Sequence, residues 1–271
     1  MNGVHIDPEA WAGWPLIGGM VRRRAREAFL ANRHRNLFFG LHDTWEAAAA
    51  AAAALGPAGY DNEASSRLYE SRVRMDPHDY PSLHWLYRSL DEGLSGVFDV
   101  GGATGIKFLA FRDALKRFAD LRWRVQDVPA MVEHGRRLAE QRGDHDRLEF
   151  TTSFGDADGF DILFASGVLQ YLPATLAELL GGWRRLPRRI IINTAAVHPQ
   201  HDFFTVNSIG TAFCPYRVQT QAALVRGLSK LGYRVRETWI NPDKPLHIPF
   251  HPGHSLQHYS GFCLDLAGTV P

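Results

Sequence analysis

The feature that most restricts how this 271-residue chain can fold is a glycine-rich turn, Asp99-Val100-Gly101-Gly102-Ala103-Thr104-Gly105. It lies at the end of an apolar run, 97–100, that predicts a buried strand, and just before a segment, 106–119, that predicts a helix. Glycine lets the backbone approach a bound molecule closely, and a strand, turn and helix in this order are typical of the βαβ units of a parallel sheet. The turn therefore predicts an α/β fold with a ligand at the ends of its strands.

The chain after residue 93 continues this alternation of short apolar runs and helical segments. Strands are predicted at 97–100, 122–125, 148–151, 161–165, 189–193, 234–240 and 259–266, and helices at 106–119, 129–142 and 222–231. Strands alternating with helices favour parallel pairing, with helices on both faces of the sheet. We therefore predict one doubly wound, seven-stranded α/β domain over residues 93–271.

The first 92 residues have a different pattern, which predicts helices and no strand. Helices are expected near 22–35, 47–54, 63–74 and 81–90. Asp43 and Glu46 stand three residues apart, like a capping box, ahead of the alanine run, and Gly56 and Pro57 end that helix. We therefore predict that residues 1–92 form a helical extension or cap on the α/β domain.

Two common classes of ligand-binding glycine turn do not fit this sequence. A phosphate-binding P-loop ends in Gly-Lys-Ser/Thr, whereas Gly105 is followed by Ile106 and Lys107. A dinucleotide-binding turn needs the order G-x-G-x-x-G, and neither Gly101 nor Gly102 starts such a frame. The pattern that remains is an acidic residue followed by a glycine turn, D-x-G-x-x-x-G. A purely structural turn stays open as the alternative.

Side chains at the neighbouring strand ends support a nucleoside ligand. Asp127 follows the second strand, where a carboxylate can accept hydrogen bonds from both ribose hydroxyls, although a helix N-cap is the alternative role. Phe154 and Asp156 follow the third strand, where they could flank a base or form a solvated turn. Ser166 and Gly167 follow the fourth strand, at the point where ligands bind in such sheets.

These segments together resemble class I S-adenosylmethionine (SAM)-dependent methyltransferases. The likeness lies in D-V-G-G-A-T-G, where Ala103 replaces a glycine, in V-Q-D-V-P at 125–129, and in the run from Phe160 to Leu172. The resemblance implies a Rossmann-like methyltransferase sheet with SAM as cofactor. It also implies cofactor-binding roles for Asp99, Gly101, Gly102, Ala103, Thr104, Gly105, Asp127, Val128, Phe154, Asp156, Ser166 and Gly167.

A closer resemblance is to a family of methyltransferase-like proteins found largely in bacteria, often beside genes for polysaccharide biosynthesis. It is carried by Gly59-Tyr60, the glycine turn, the segment 165–172 and Ile191-Ile192-Asn193. This resemblance implies a small-molecule or saccharide acceptor. Aromatic and polar side chains suited to such an acceptor, or to simple core packing, are Tyr60, Gln170, Tyr171, Phe204 and Tyr216, with Trp45, Tyr69 and Tyr80 on the N-terminal helices.

Methyl transfer to a hydroxyl usually needs a general base, and histidine has a suitable pKa. His198 and His201 follow the fifth strand of the predicted sheet, where the acceptor should bind. We therefore predict a hydroxyl acceptor with His201 or His198 as the base, while a structural role for either histidine remains the alternative.

The second group of histidines and the composition of the chain count against a metal site, a nucleic-acid partner and a membrane span. His247, His251, His254 and His258 lie in a proline-containing loop without helical spacing, so we predict no metal. Thirty Lys and Arg against 29 Asp and Glu give a net charge of +1, which favours no nucleic-acid partner. Two widely separated cysteines fit a reducing cytoplasm, and no apolar run is long enough to span a bilayer.

Two other functions remain open at the level of sequence. The first is a non-catalytic module that keeps the methyltransferase fold as a scaffold in a biosynthetic complex. Ala103 in the turn and the lack of a decisive base favour it. The second is an enzyme with a nicotinamide cofactor, against which the failed G-x-G-x-x-G frames count.

Overall fold

The computed structural model describes residues 18–57, 59–70 and 73–269. Its helices are α1 (Gly18–Leu30), α2 (Trp45–Ala53), α3 (Glu63–Glu70), α4 (Tyr80–Asp91), α5 (Ile106–Leu115), α6 (Pro129–Arg142), α7 (Leu176–Gly181) and α8 (Gln221–Lys230). Its strands are β1 (Leu37–His42), β2 (Gly96–Val100), β3 (Arg122–Gln126), β4 (Leu148–Thr151), β5 (Ile162–Ser166), β6 (Arg189–Ala195), β7 (Val197–His198), β8 (Phe203–Ser208), β9 (Phe213–Thr220), β10 (Tyr233–Asn241) and β11 (Tyr259–Leu266).

The main sheet has seven strands in the order β10-β11-β6-β5-β2-β3-β4, which confirms the predicted doubly wound α/β class. Strands β4, β3, β2, β5 and β6 are parallel, and β11 and β10 are antiparallel to their neighbours. From β2 the chain runs outward through β3 and β4 and then returns to form β5 on the other side of β2. The adjacent carboxyl ends of β2 and β5 therefore form the switch point at which such sheets bind ligands.

The central strands are buried on both faces, so each is an almost continuous apolar run. Alternate residues of each strand enter opposite cores: Phe98, Leu163 and Ile190 pack on one face, and Val97, Phe164 and Ile191 on the other. Three predicted elements, α6, β4 and β11, have the bounds given by the sequence, and the others differ at their ends by a few residues.

A second sheet, with four strands in the order β1-β8-β9-β7, corrects the predicted organisation of the chain. Strand β1 lies within the first 92 residues and pairs antiparallel with β8, so the prediction of helices alone for this region was wrong. The hydrogen-bonding partner of β1 is more than 160 residues away in sequence, and no local pattern indicates such a pairing. The division of the chain at residue 92 stays a prediction.

The N-terminal helices also differ from the prediction in detail. Thr44, rather than Asp43, is the N-cap of α2, and its hydroxyl accepts a hydrogen bond from the Ala47 N–H at 3.1 Å. The predicted helix at 63–74 is described as α3, and residues 71 and 72 lie outside the described part of the chain. In the described ranges no helix is long and apolar enough to cross a membrane.

Candidate active site

A cavity of about 400 Å³ opens at the switch point of the main sheet, between the glycine turn and the second sheet. Such a volume falls within the range of small-molecule and cofactor sites. Its walls are mostly apolar and aromatic, with one carboxylate. The lining residues are Trp45, Gly59, Tyr60, Tyr69, Gly101, Ala103, Gln126, Asp127, Val128, Met131, Phe154, Gly167, Val168, Tyr171, Leu172, Pro173, Cys214 and Pro215.

The backbone of the glycine turn is left-handed at three positions, with φ of +64° at Gly101, +52° at Ala103 and +83° at Gly105. Left-handed φ is strained for alanine, so Ala103 needs a compensating contact. Its N–H donates a hydrogen bond to Asp127 Oδ2 at 2.7 Å, across to the tip of β3. The strained turn and the carboxylate of the neighbouring strand are thereby fixed relative to each other.

The Asp127 carboxylate is oriented by two backbone groups. Oδ2 accepts from Ala103 N–H and Oδ1 accepts from Val128 N–H, each at 2.7 Å. Burial raises the pKa of Asp127 to about 6, against the lowering effect of these two hydrogen bonds. A carboxylate has about four acceptor positions, so each oxygen can accept one more hydrogen bond. The N-cap position of α6 belongs to Val128, and Asp127 does not have the helix-capping role left open above.

Asp99 has a different place from the one predicted. Its side chain is 1% exposed, lies beneath the turn and accepts a hydrogen bond from Trp123 Nε1 at 3.1 Å. Burial raises its pKa to about 8. Asp99, Gly102, Thr104 and Gly105 are not among the lining residues, and direct contact of these four with a cofactor stays a prediction from the sequence.

The buried Asp99 gives a prediction about pH. Near neutral pH the folded protein holds a proton on this carboxyl, while the unfolded chain has released it above the ordinary value of 3.8. The folded state thus binds the extra proton between about pH 4 and pH 8, and this group makes stability fall as pH rises through that window.

Asp99→Asn is therefore expected to be more stable than the native protein by at least about 1 kcal/mol at pH 8, with a flatter stability profile between pH 5 and 8. Urea unfolding at several pH values measures this, because the amide oxygen can still accept from Trp123 Nε1. An unaltered slope would contradict the protonated, buried state of Asp99.

The structure separates the other predicted residues into two groups. Val128, Phe154, Gly167, Tyr171 and Tyr60 line the cavity. Ser166, Gln170, Tyr216, Phe204 and Asp156 do not.

Each residue of the second group has another contact or position. Gln170 Nε2 donates to the Thr194 carbonyl at 3.3 Å, and Tyr216 shares a 2.8 Å hydrogen bond between hydroxyls with Tyr259. Phe204 packs against Trp45. Asp156 accepts from the Thr151 hydroxyl and borders a separate cavity beside β4. Ser166 ends β5 and pairs in register with Asn193.

The predicted bases, His198 and His201, also lie outside the cavity lining. His198 Nδ1 accepts hydrogen bonds from the backbone N–H groups of Gln200 and His201, at 3.0 and 2.9 Å. The rings of His201 and His254 stack with centroids 4.9 Å apart. His198 therefore stabilises the turn after β7, which is the structural role that the sequence left open. The prediction of a histidine base has no support at this cavity.

The remaining histidines form no evident ligand set. Among the described residues, no three His, Cys, Asp or Glu side chains are grouped so that they could hold a metal ion. His251 and His254 are in ring contact, with their centroids 6.2 Å apart.

Sequence reasoning missed one residue that organises the cavity wall, Asn207 on β8. Its Oδ1 accepts hydrogen bonds from the hydroxyls of Tyr60, at 3.1 Å, and Tyr171, at 2.9 Å. Asn207 is fully buried, and no motif surrounds it. Only the pairing of β8 with β1 and β9, which the sequence does not indicate, brings it to this position.

Comparisons with known proteins show similarity to solved structures at the level of the fold. No protein-family profile and no curated protein matches the sequence. Among solved structures, the chain is similar to the 1,6-didemethyltoxoflavin-N1-methyltransferase of Burkholderia thailandensis, at 18% identity and a TM-score of 0.46, over 70% of this chain and 78% of that one. It is also similar to the magnesium protoporphyrin IX methyltransferase of Synechocystis PCC 6803, at 15% identity and a TM-score of 0.47, over 76% and 96%. A third is a SAM-dependent methyltransferase of Clostridium acetobutylicum ATCC 824, at 9% identity and a TM-score of 0.48, over 75% and 98%.

Proposed function

We propose that this protein is a SAM-dependent methyltransferase that acts on a small molecule. The observation that carries the proposal is the oriented carboxylate of Asp127 beside the left-handed turn at Gly101 and Ala103, on a cavity at the switch point of the sheet. Each oxygen of this carboxylate accepts one backbone hydrogen bond and has one acceptor position left for a ligand. These two positions match the two adjacent hydroxyls of a ribose.

The residues around Asp127 fit the rest of a nucleoside with a short polar tail. Val128, Met131 and Phe154 supply apolar surface for a flat base next to the ribose position. Gly101 and Gly167 directly follow β2 and β5, and both border the cavity there. When bound, SAM supplies a methyl group on a positively charged sulfur, which a nucleophile can displace directly. These residues would hold it so that the methyl group faces the remaining cavity.

The part of the cavity that is left for the acceptor is aromatic. The Tyr60 ring contacts those of Tyr69 and Tyr171, and Trp45, Leu172 and Pro173 also line the cavity. Enclosure by these side chains excludes water and holds donor and acceptor in line, which supplies much of the catalysis for a displacement of this kind. An aromatic or otherwise flat acceptor fits these walls. A saccharide acceptor and a hydroxyl as the methylated group remain predictions from the sequence.

A second candidate function is a non-catalytic SAM-binding module. It is favoured by one observation, that no histidine, lysine or arginine is among the described residues that line the cavity. A hydroxyl acceptor would therefore lack an obvious base there.

Titration calorimetry with S-adenosylhomocysteine (SAH), followed by incubation with SAM and a panel of small aromatic acceptors, tests both functions. The enzyme proposal expects SAH binding and formation of a methylated product, detected by mass spectrometry. SAH binding without any product would favour the non-catalytic module. No SAH binding would overturn both.

A further inference from the structure

The orientation of the Asn207 amide is fixed by its surroundings. Its Nδ2 donates to the Leu37 carbonyl at 3.0 Å and to Asn36 Oδ1 at 2.7 Å. A backbone carbonyl can only accept a hydrogen bond, so the nitrogen of the amide must face β1 and the oxygen must face Tyr60 and Tyr171. The direction of the two hydrogen bonds to Asn207 Oδ1 follows from this.

The hydroxyl protons of Tyr60 and Tyr171 are both committed to this one oxygen. A tyrosine hydroxyl has one proton, so what each can still offer to a ligand is an acceptor lone pair. The site of this convergence borders the cavity, because Asn207 lies directly opposite Cys214 on the paired strands β8 and β9, and Cys214 is a lining residue. The Tyr60–Tyr171 side of the cavity therefore has hydrogen-bond acceptors to offer a ligand.

The lining is unsuited to an anionic acceptor or to the deprotonation of a hydroxyl. Its described residues include no cationic side chain, and their one carboxylate, Asp127, would repel an anion. Burial raises the pKa of Tyr60 and Tyr171 well above the ordinary value of 10 and that of Cys214 to about 11. These groups stay protonated near neutral pH and cannot take a proton from an alcohol or phenol.

We propose that the Tyr60–Tyr171 pair, oriented by Asn207, binds the N–H group of a neutral aromatic amine, and that this nitrogen receives the methyl group. The inference rests on the proposed function. The nitrogen lone pair forms the bond to the methyl carbon, while the carbon–sulfur bond breaks and its electron pair stays on sulfur, giving SAH. The methylated ammonium then releases one proton to solvent. No base in the cavity is required, because the amine attacks without prior deprotonation.

The probe that tests this is 4-aminophenol, which offers an amine and a hydroxyl on the same ring. With SAM and the intact protein, the expected product is 4-(methylamino)phenol, which mass-spectrometric fragmentation distinguishes from 4-methoxyaniline. Tyr171→Phe removes one hydroxyl and keeps the ring. It is expected to raise KM for 4-aminophenol about fivefold, as for one lost hydrogen bond, with a smaller change in kcat.

A matched control is Tyr233→Phe, which removes a buried hydroxyl that donates to the Pro187 carbonyl at 2.7 Å, outside the cavity lining. It should leave KM unchanged. SAH binding, measured by calorimetry in each variant, distinguishes a failure of cofactor binding from a failure of amine binding. Without SAH binding to the native protein, the proposed function itself fails. With SAH bound, 4-methoxyaniline as the product, no methylated product, or an equal KM in Tyr171→Phe would each overturn the amine assignment and leave SAM binding standing.

Discussion

Replacing Asp127 with alanine is expected to weaken SAH binding at least about a hundredfold. The carboxylate is proposed to accept two ribose hydroxyls, and hydrogen bonds to a charged group contribute about 1.5–3 kcal/mol each. The change also removes the acceptor of the Ala103 N–H, which holds the strained residue of the turn in place. Both effects act on the same ligand site, so the loss should appear in calorimetry as binding too weak to measure at micromolar protein.

A matched control for this variant is Asp61→Asn. Asp61 is an exposed carboxylate near Asp127, and its Oδ1 accepts from Ala130 N–H at 2.8 Å, which an amide oxygen can also do. SAH should bind to Asp61→Asn as it does to the native protein, because Asp61 is not among the lining residues. If Asp127→Ala bound SAH with native affinity, the ribose role and the proposed function would both fail. If the two variants lost binding equally, the cause would be the loss of a negative charge near the site rather than the loss of the hydrogen bonds of Asp127.

The parts of this site that the sequence indicated are those formed by neighbouring residues. The turn 99–105 and the strand end at Asp127 each follow a buried strand directly, and the carboxyl ends of adjacent parallel strands meet at one edge of the sheet. That rule was enough to bring the turn and Asp127 together. It could not show that Asp99 points down to Trp123, because the direction of a side chain at a strand end depends on packing from other strands.

The parts that the sequence did not indicate depend on distant pairing. Strand β1 is a short apolar run whose partner, β8, follows it by more than 160 residues, so the second sheet has no local signature. Asn207 comes to the cavity only through that sheet. His198 lies at a strand end, as the sequence predicts. Its ring faces its own turn, because His198 Nδ1 accepts hydrogen bonds from two backbone N–H groups there. A histidine in such a loop carries no sequence signal for one role over the other.

Gly101→Ala is expected to destabilise the protein by about 3 kcal/mol and to remove SAH binding. A Cβ at this position would lie 2.1 Å from Val168 Cγ2 and 2.7 Å from Val168 Cβ. Rotation of the valine cannot relieve the second contact, because Cβ does not move with χ1. The backbone φ of +64° adds about 1–2 kcal/mol of strain for alanine, and overpacking typically adds about 1–3 kcal/mol.

Gly93→Ala is a matched control that measures the cost of a left-handed alanine without a steric clash. Gly93 has φ of +87°, but nothing lies within 4 Å of a Cβ added there, and it is not among the lining residues. Its expected cost is about 1 kcal/mol, from backbone strain alone, with native SAH affinity. Gly101 and Val168 both line the cavity, so any shift that accommodates the new methyl group moves its wall. Urea unfolding and SAH calorimetry on both variants measure these effects. Equal destabilisation by the two substitutions would mean that close packing against Val168 is not the reason for a glycine at the head of the turn.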